Sequence, residues 1–346
     1  MKKMFLFAAM AGVAFASCTN DVTSVDNSAL ESKAIAYQPV VRDTRADAYN
    51  GESFASMAYY ADGNSYFTEV EKVSGTVGSE PWESGTTYYW PAEKLIFVSV
   101  SPYTGVSYTL TNESVEFSEY AIPDDNTKTI DIMYADRVLD ADYKTYGTSY
   151  VPVAFNHALA QLNVTAKATP LTDADDGTIT YEVSLTSVSI SGVNTKGSVE
   201  LSSEGNATEY TVDDNVWEAS NTTDVSVYSE TLALTESAQN LMTNYWVIPQ
   251  AVVDQKMTVD FTVVTKQNGE VLSTKNYSKV IALSSQNMSY GTANSNWEMN
   301  HKLTYNIEIN PTTPQNPIKW QSPTVADWET ASSTVTIDVN SLTPLP

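Results

Sequence analysis

Alternation of apolar and polar residues is the feature of this 346-residue chain that most limits how it can fold. From about residue 33 onward, short alternating runs are separated by Gly, Pro, Asn and Asp residues. Successive side chains of a β-strand point to opposite faces, so such runs predict strands with one buried face. The clearest runs are 95–100, 162–166, 181–185, 257–263 and 303–309. Helical periodicity is hard to find, and the chain is therefore predicted to be an all-β protein of the sandwich type.

One pair of these strands is predicted to form a β-hairpin. Segments 256–265 and 270–278 have strand character and flank the sequence Gln267-Asn268-Gly269. Asn-Gly favours the positive φ angles of a tight hairpin turn. The two segments are therefore expected to pair in an antiparallel ladder.

Charge and composition exclude several classes of function. Asp and Glu number 42 against 18 Lys and Arg, which gives a formal charge of −24. So few cations cannot build the basic surface that phosphate binding needs, and nucleic acid is excluded as a partner. One cysteine rules out an internal disulfide and a thiolate zinc site, and two histidines leave little for a histidine-based catalytic triad. We expect no cofactor, no metal and no enzymatic activity.

The amino-terminal residues have the pattern of an export signal. Lys2 and Lys3 precede an apolar run over residues 4–15 that is short for a membrane span. The run leads into Ala16-Ser17-Cys18, which resembles the lipobox of bacterial lipoproteins. This predicts a signal peptide over residues 1–17 and lipidation of Cys18, which would tether the chain to a membrane. The alternative is an ordinary cleaved signal followed by a free thiol.

The rest of the chain is predicted to divide into two domains. A strand over residues 153–168 is followed by a segment with Pro170, Gly177 and three aspartates, which is the best linker candidate. The predicted divisions are a tether and first strand (18–45), an amino-terminal sandwich (46–168), a linker (169–177), a carboxy-terminal sandwich (178–310) and a tail (311–346).

Four segments, together with the lipobox, carry a family resemblance. They are Tyr-Tyr-Trp-Pro at 88–91, the run 95–103, Asp-Ile-Met-Tyr-Ala at 131–135, and 153–164. In this order and spacing the chain resembles the fimbrillin-like (Mfa-like, FimA-type) lipoproteins of Bacteroides-type bacteria, which are subunits of type V pili. The resemblance implies two transthyretin-like β-sandwich domains and a structural subunit of a cell-surface fimbrium that supports adhesion. The implied partners are other pilin subunits, an Arg-specific protease, the outer membrane and a host or glycan receptor.

The resemblance also implies that the protease removes the first strand and that a strand from another subunit replaces it. Only three arginines occur in the chain, and two of them, Arg42 and Arg45, lie in residues 41–46. The Arg45–Ala46 bond is the first candidate for cleavage and the bond after Arg42 is the second, unless both arginines merely lie in an exposed loop. Segment 33–41 has strand character, and Pro39 within it suits an edge strand.

The tail contains a candidate donor strand. Val335, Ile337 and Val339 would share one face of a strand over residues 334–339, as insertion into a neighbour's groove requires. Alternatively, the tail completes the sheet of its own domain. With both a removable strand and a donor, a stalk subunit is expected. The alternative function is a monomeric surface lipoprotein that binds glycan through exposed aromatics, of which the chain has 7 Trp and 21 Tyr.

Overall fold

A computed structural model describes residues 33–41, 49, 51–201, 217–285, 296–312 and 318–327. The helices in these ranges are one turn of α-helix at Tyr143–Tyr146 and two 3-10 turns at Asn126–Lys128 and Leu283–Ser285. The strands, in chain order, are β1 (Tyr37–Val41), β2 (Ser53–Tyr60), β3 (Glu71–Thr76), β4 (Ser79–Ser84), β5 (Leu95–Ser101), β6 (Tyr108–Leu110), β7 (Val115–Ala121), β8 (Met133–Ala135), β9 (Val138–Ala141), β10 (Val151–His157), β11 (Ala160–Ala168), β12 (Ile179–Leu201), β13 (Glu218–Tyr228), β14 (Leu232–Ala233), β15 (Gln239–Val247), β16 (Gln250–Ala251), β17 (Lys256–Gln267), β18 (Glu270–Ala282), β19 (Asn296–Trp297), β20 (His301–Ile309) and β21 (Ile318–Asp327).

The first lobe is built around an eight-stranded sheet in the order β2-β3-β4-β1-β10-β8-β5-β9. Strand β2 also pairs with β5, so the sheet returns on itself and encloses a core. That core is rich in aromatic side chains, because strands of this sheet turn Phe, Tyr and Trp residues inward at alternate positions. The all-β prediction is confirmed.

The second lobe is a sandwich of two sheets. A four-stranded sheet runs β15-β11-β20-β21, and the facing layer is made by β17, β18 and the first half of β12. The alternating residues predicted from the sequence lie in the core between them, including Leu162, Val183, Val259, Phe261 and Tyr305. The predicted hairpin is present as β17 and β18, with Asn268 at φ 52° and Gly269 at φ 88°.

Strand β12 belongs to both lobes. Its first half pairs with β17 from Ile179 to Ser191, and its second half pairs with β7 from Lys196 to Leu201. A seven-stranded sheet therefore continues from one core to the other. Hydrogen bonds also join the lobes, since the Asn126 side chain accepts from the Trp246 backbone N–H at 2.8 Å and donates to its carbonyl at 2.9 Å.

The boundary between the two halves differs from the prediction. The expected strand over residues 153–168 is two strands in different sheets, because β10 pairs with β1 and β8 whereas β11 pairs with β15 and β20. The two cores meet between Leu159 and Ala160. Ala158 and Leu159 are apolar, and Asn156 and His157 before them are buried, so no Gly, Pro or exposed polar segment marks the point where the chain changes sheets.

The predicted linker over residues 169–177 is instead a loop of the second lobe. Thr172 forms a bridge with Thr180, and the Asp173 backbone N–H donates to the carbonyl of Ile179 at 2.9 Å. The Asp173 carboxylate accepts hydrogen bonds from the backbone N–H groups of Asp175 and Asp176, which lower its pKa. The aspartates thus stabilise a turn rather than separate two domains.

Candidate functional site

The structure describes the first strand but not the residues that were predicted to process or replace it. Cys18, Arg42, Arg45, Ala46, Val335, Ile337 and Val339 all lie outside the described residues. The segment 33–41 and the groove that holds it can be examined directly, and they form the candidate site.

Strand β1 is held mainly by one neighbour. It pairs in parallel with β10 at all five of its residues, from Tyr37 opposite Val151 to Val41 opposite Phe155. On its other side, the ladder to β4 consists of the single pair Tyr37 and Trp82. The strand was expected at a sheet edge, and in the strand order it lies between two neighbours because the sheet closes on itself.

The position of Pro39 explains how an edge-type residue fits inside the sheet. The Val151 N–H donates to the carbonyl of Ala36 at 2.8 Å, which fixes the phase of the parallel ladder. In a strand, alternate residues direct their backbone N–H and C=O groups toward the same neighbouring strand. The backbone groups of Gln38 and Val40 therefore point toward β10, and the backbone nitrogen of Pro39 points toward β4. The one-pair ladder with β4 does not reach Pro39, and proline has no N–H to leave unpaired there.

One face of the segment fills the first core. Ile35, Tyr37 and Pro39 are buried, and Tyr37 is 0% exposed. The Tyr37 ring packs edge-on against Phe54 and Phe97, with centroid distances of 5.7 and 5.8 Å. Burial also raises the pKa of the Tyr37 hydroxyl well above its ordinary value. At about 1.5–3 kcal/mol for each fully buried large apolar side chain, these residues contribute substantially to the stability of this lobe.

The segment is further attached at its start and on its outer face. The Ile35 N–H donates to the carbonyl of Tyr88 at 2.8 Å, and the Lys33 ammonium donates to the carbonyl of Gly147 at 3.0 Å. On β1 itself, the Gln38 amide donates to the Glu80 carboxylate at 2.8 Å in an exposed position. The apolar face thus carries most of the burial, and the polar contacts set the register.

Tyr49 belongs to the site, although sequence reasoning did not single it out. It is 1% exposed and its ring packs 5.0 Å from the Phe155 ring and 5.3 Å from the Trp82 ring. A lone tyrosine between Ala48 and Asn50, with no run of large apolar residues at alternate positions, gives no clear strand signal. The nearest signal in the sequence is Gly51, since a Cβ at that residue would lie 2.2 Å from the Tyr49 hydroxyl oxygen.

At the other end of the chain, strand β21 pairs within its own lobe. It runs antiparallel to β20, from His301 opposite Asp327 to Ile309 opposite Ile318, and forms an end of the four-stranded sheet. The part of the tail up to Asp327 therefore completes its own sheet, which was one of the two alternatives. The predicted donor residues follow this strand in the sequence.

Several other residues that could have served in binding are instead packed inside the protein. His157 is buried, and its Nδ1 lies 2.8 Å from one carboxylate oxygen of Asp131 and 3.0 Å from the other. Trp82 and Trp90, two of the seven tryptophans, are each 2% exposed and lie in the first core, so they are not among the exposed aromatics that glycan stacking would need. The described part of the chain contains no group of three His, Cys, Asp or Glu side chains suited to a metal ion. Among the described helices, none has the length and apolar character to cross a bilayer.

Comparison with solved structures finds proteins with a similar architecture. A crystal structure of a fimbrial protein from Bacteroides vulgatus matches with a TM-score of 0.56 at 15% identity, over 86% of this chain and 100% of that chain. A protein from Bacteroides uniformis assigned to cell adhesion matches with a TM-score of 0.51 at 19% identity, over 86% of this chain and 98% of that one. At these identities the similarity concerns the fold. No curated protein sequence matches the chain.

The sequence itself is matched by a family profile. The profile of the family described as fimbrillin-like matches residues 44–328, which is most of the chain. The match includes both lobes and the groove residues contributed by β2, β4, β5 and β10. The chain therefore belongs to the fimbrillin-like family.

Proposed function

We propose that this protein is a structural subunit of the stalk of a cell-surface fimbria, assembled by donor-strand exchange. It is exported as an outer-membrane lipoprotein through Cys18, cut after Arg45 or Arg42 by an Arg-specific protease, and then joined to other subunits to support adhesion to a host or glycan receptor. The observation that carries the proposal is the seating of β1. A short strand just before two arginines fills an apolar groove while pairing extensively with only one neighbour.

The physics of exchange follows from what β1 covers. Its departure would leave the outer edge of β10 without a partner and would expose the aromatic side chains that Tyr37 contacts. An unpaired edge beside an apolar groove favours the addition of a strand from another chain. If the donor and acceptor surfaces differ, each added subunit presents a new groove, so the contact repeats as a filament.

The first residue of the mature protein tests the processing step. We expect membrane-bound precursor to begin at acylated Cys18 and fibre-associated protein to begin at Ala46, or at Asp43 if the bond after Arg42 is cut. Mass spectrometry of the amino-terminal peptide from each fraction measures this directly. Fibre protein that retains Cys18 would contradict the proposed removal of β1.

The donor can be tested without disturbing the second lobe. Deletion of residues 328–346 leaves β21 paired with β20, and we expect it to abolish assembly of the clipped protein while leaving the unfolding midpoint of the precursor unchanged. Val335→Asp with Ile337→Asp should have the same effect, because a charge on the inserted face cannot be buried without a partner. Thr334→Ala with Thr336→Ala, on the opposite face, is the matched control. Normal assembly of the deletion variant would place the donor elsewhere.

A further inference from the structure

Tyr49 and β1 lie on either side of the candidate cleavage segment in the sequence, and both border the same three aromatic residues. The Tyr49 ring contacts Phe54 at 5.9 Å, Trp82 at 5.3 Å and Phe155 at 5.0 Å. Each of these residues also faces β1. Phe54 packs against Tyr37, Trp82 pairs with Tyr37, and Phe155 pairs with Val41.

The Tyr49 side chain is fixed in this place by specific polar contacts. Its hydroxyl donates to the carbonyl of Ser53 at 3.1 Å and lies 2.7 Å from the hydroxyl of Ser101. Gly51 leaves the space that the hydroxyl occupies, since a side chain there would collide with it. Burial raises the pKa of Tyr49 to about 12. The ring is thus anchored through β2 and β5, and none of these hydrogen bonds involves β1.

Cleavage after Arg45 would separate β1 from Tyr49 and leave Tyr49 in the processed chain. Only residues 46–48 would then precede it, a span of about 10 Å when fully extended. The new amino terminus would be tethered beside the groove. Phe54 would lose its ring contact with Tyr37 and keep the one with Tyr49, and Trp82 and Phe155 would keep their ring contacts with Tyr49.

We infer that Tyr49 is a positioning residue that keeps the aromatic wall of the groove packed after β1 leaves, so that an incoming strand meets a preformed surface. The inference rests on the proposed function and adds to it the residue that preserves the acceptor. A preorganised wall lowers the ordering required when the strand binds. Tyr49 therefore contributes to the affinity of the acceptor groove, and this role does not require it to contact the donor strand.

The test compares two buried tyrosines of the same core. The full-length Tyr49→Leu variant is compared with a full-length Tyr120→Leu variant. Tyr120 is also buried, at 8% exposed, and its hydroxyl donates to the carbonyl of Ile130 at 2.6 Å. Its ring, however, packs against Trp217 and not against residues that face β1. Unfolding midpoints of both precursors are measured first. Each is then cut with an Arg-specific protease, the product starting at Ala46 is confirmed by mass, and β1 is displaced and washed out. Binding of a fluorescent peptide of residues 33–41 is measured by anisotropy.

We expect Tyr49→Leu to weaken peptide binding at least tenfold relative to wild type, and Tyr120→Leu to change it less than twofold. Tyr49→Phe, which keeps the ring, should bind within about threefold of wild type. Equal peptide affinities in the two leucine variants would overturn the inference, and so would a wild-type clipped chain that binds no peptide. A clipped chain that binds the peptide but never assembles would overturn donor-strand polymerisation while leaving the role of Tyr49 intact.

Discussion

Brief treatment with an Arg-specific protease should convert the purified monomeric chain into a ladder of oligomers that resist SDS without heating. Cutting after Arg45 severs the covalent link between β1 and the rest of the lobe. The strand can then leave, and a donor from another copy restores the five-residue ladder with β10 and refills the groove. Because the new joint combines a backbone ladder with several buried apolar side chains, it should open very slowly.

The matched control is Arg42→Gln with Arg45→Gln. Arg137 is the remaining arginine of the chain and is unaltered in this variant, so cutting at that residue is the same in both proteins. The double variant should stay monomeric under the same treatment, as judged by unheated gel electrophoresis and electron microscopy. Wild-type protein that is cut at Arg45 yet remains monomeric would contradict polymerisation by strand exchange.

Replacement of Tyr37 by alanine should destabilise the uncut chain by about 3–5 kcal/mol, the range measured when large aromatic side chains are truncated in cores. Tyr37 is fully buried and its ring is edge-on to Phe54 and Phe97, so its loss creates a cavity and removes aromatic contacts. Denaturant unfolding followed by tryptophan fluorescence measures the change, because Trp82 and Trp90 lie in the same core.

The neighbouring residue supplies the control for this second experiment. Gln38 lies on the same strand and points outward, and its hydrogen bond to Glu80 is exposed. Gln38→Ala should therefore change the free energy of unfolding by about 0.5 kcal/mol or less. If Tyr37→Ala were as mild as Gln38→Ala, β1 would not be sealing the groove, and its removal would expose nothing that a donor strand could cover.

Much of the fold could be predicted from the sequence, because alternation reports burial directly. The runs containing Val164, Val259 and Tyr305 lie in strands with the expected faces inward, and the Asn268-Gly269 turn joins the expected hairpin. The change of sheet at Leu159 could not be predicted, since alternation shows that a strand has a buried face but not which core that face enters. The 23-residue length of β12 was missed for the same reason.

The candidate site was predicted in part. The strand character of segment 33–41 was predicted, and the structure shows that Ile35, Tyr37 and Pro39 form its buried face. Its place between β4 and β10 was not predicted, because both strands are remote from β1 in sequence and alternation does not show which strands pair. Tyr49 was missed because its burial depends on residues from β2, β4 and β10, and two of them, Trp82 and Phe155, are remote from it in sequence.

The continuity of β12 has a mechanical consequence. A tensile load directed along β12 would pass from one lobe to the other through this one strand, and the ladders that flank it would run parallel to that load. Such ladders are loaded in shear, so many hydrogen bonds must fail together before the lobes separate. In a string of these molecules, bending would concentrate where one copy meets the next, and each copy would act as a stiff segment.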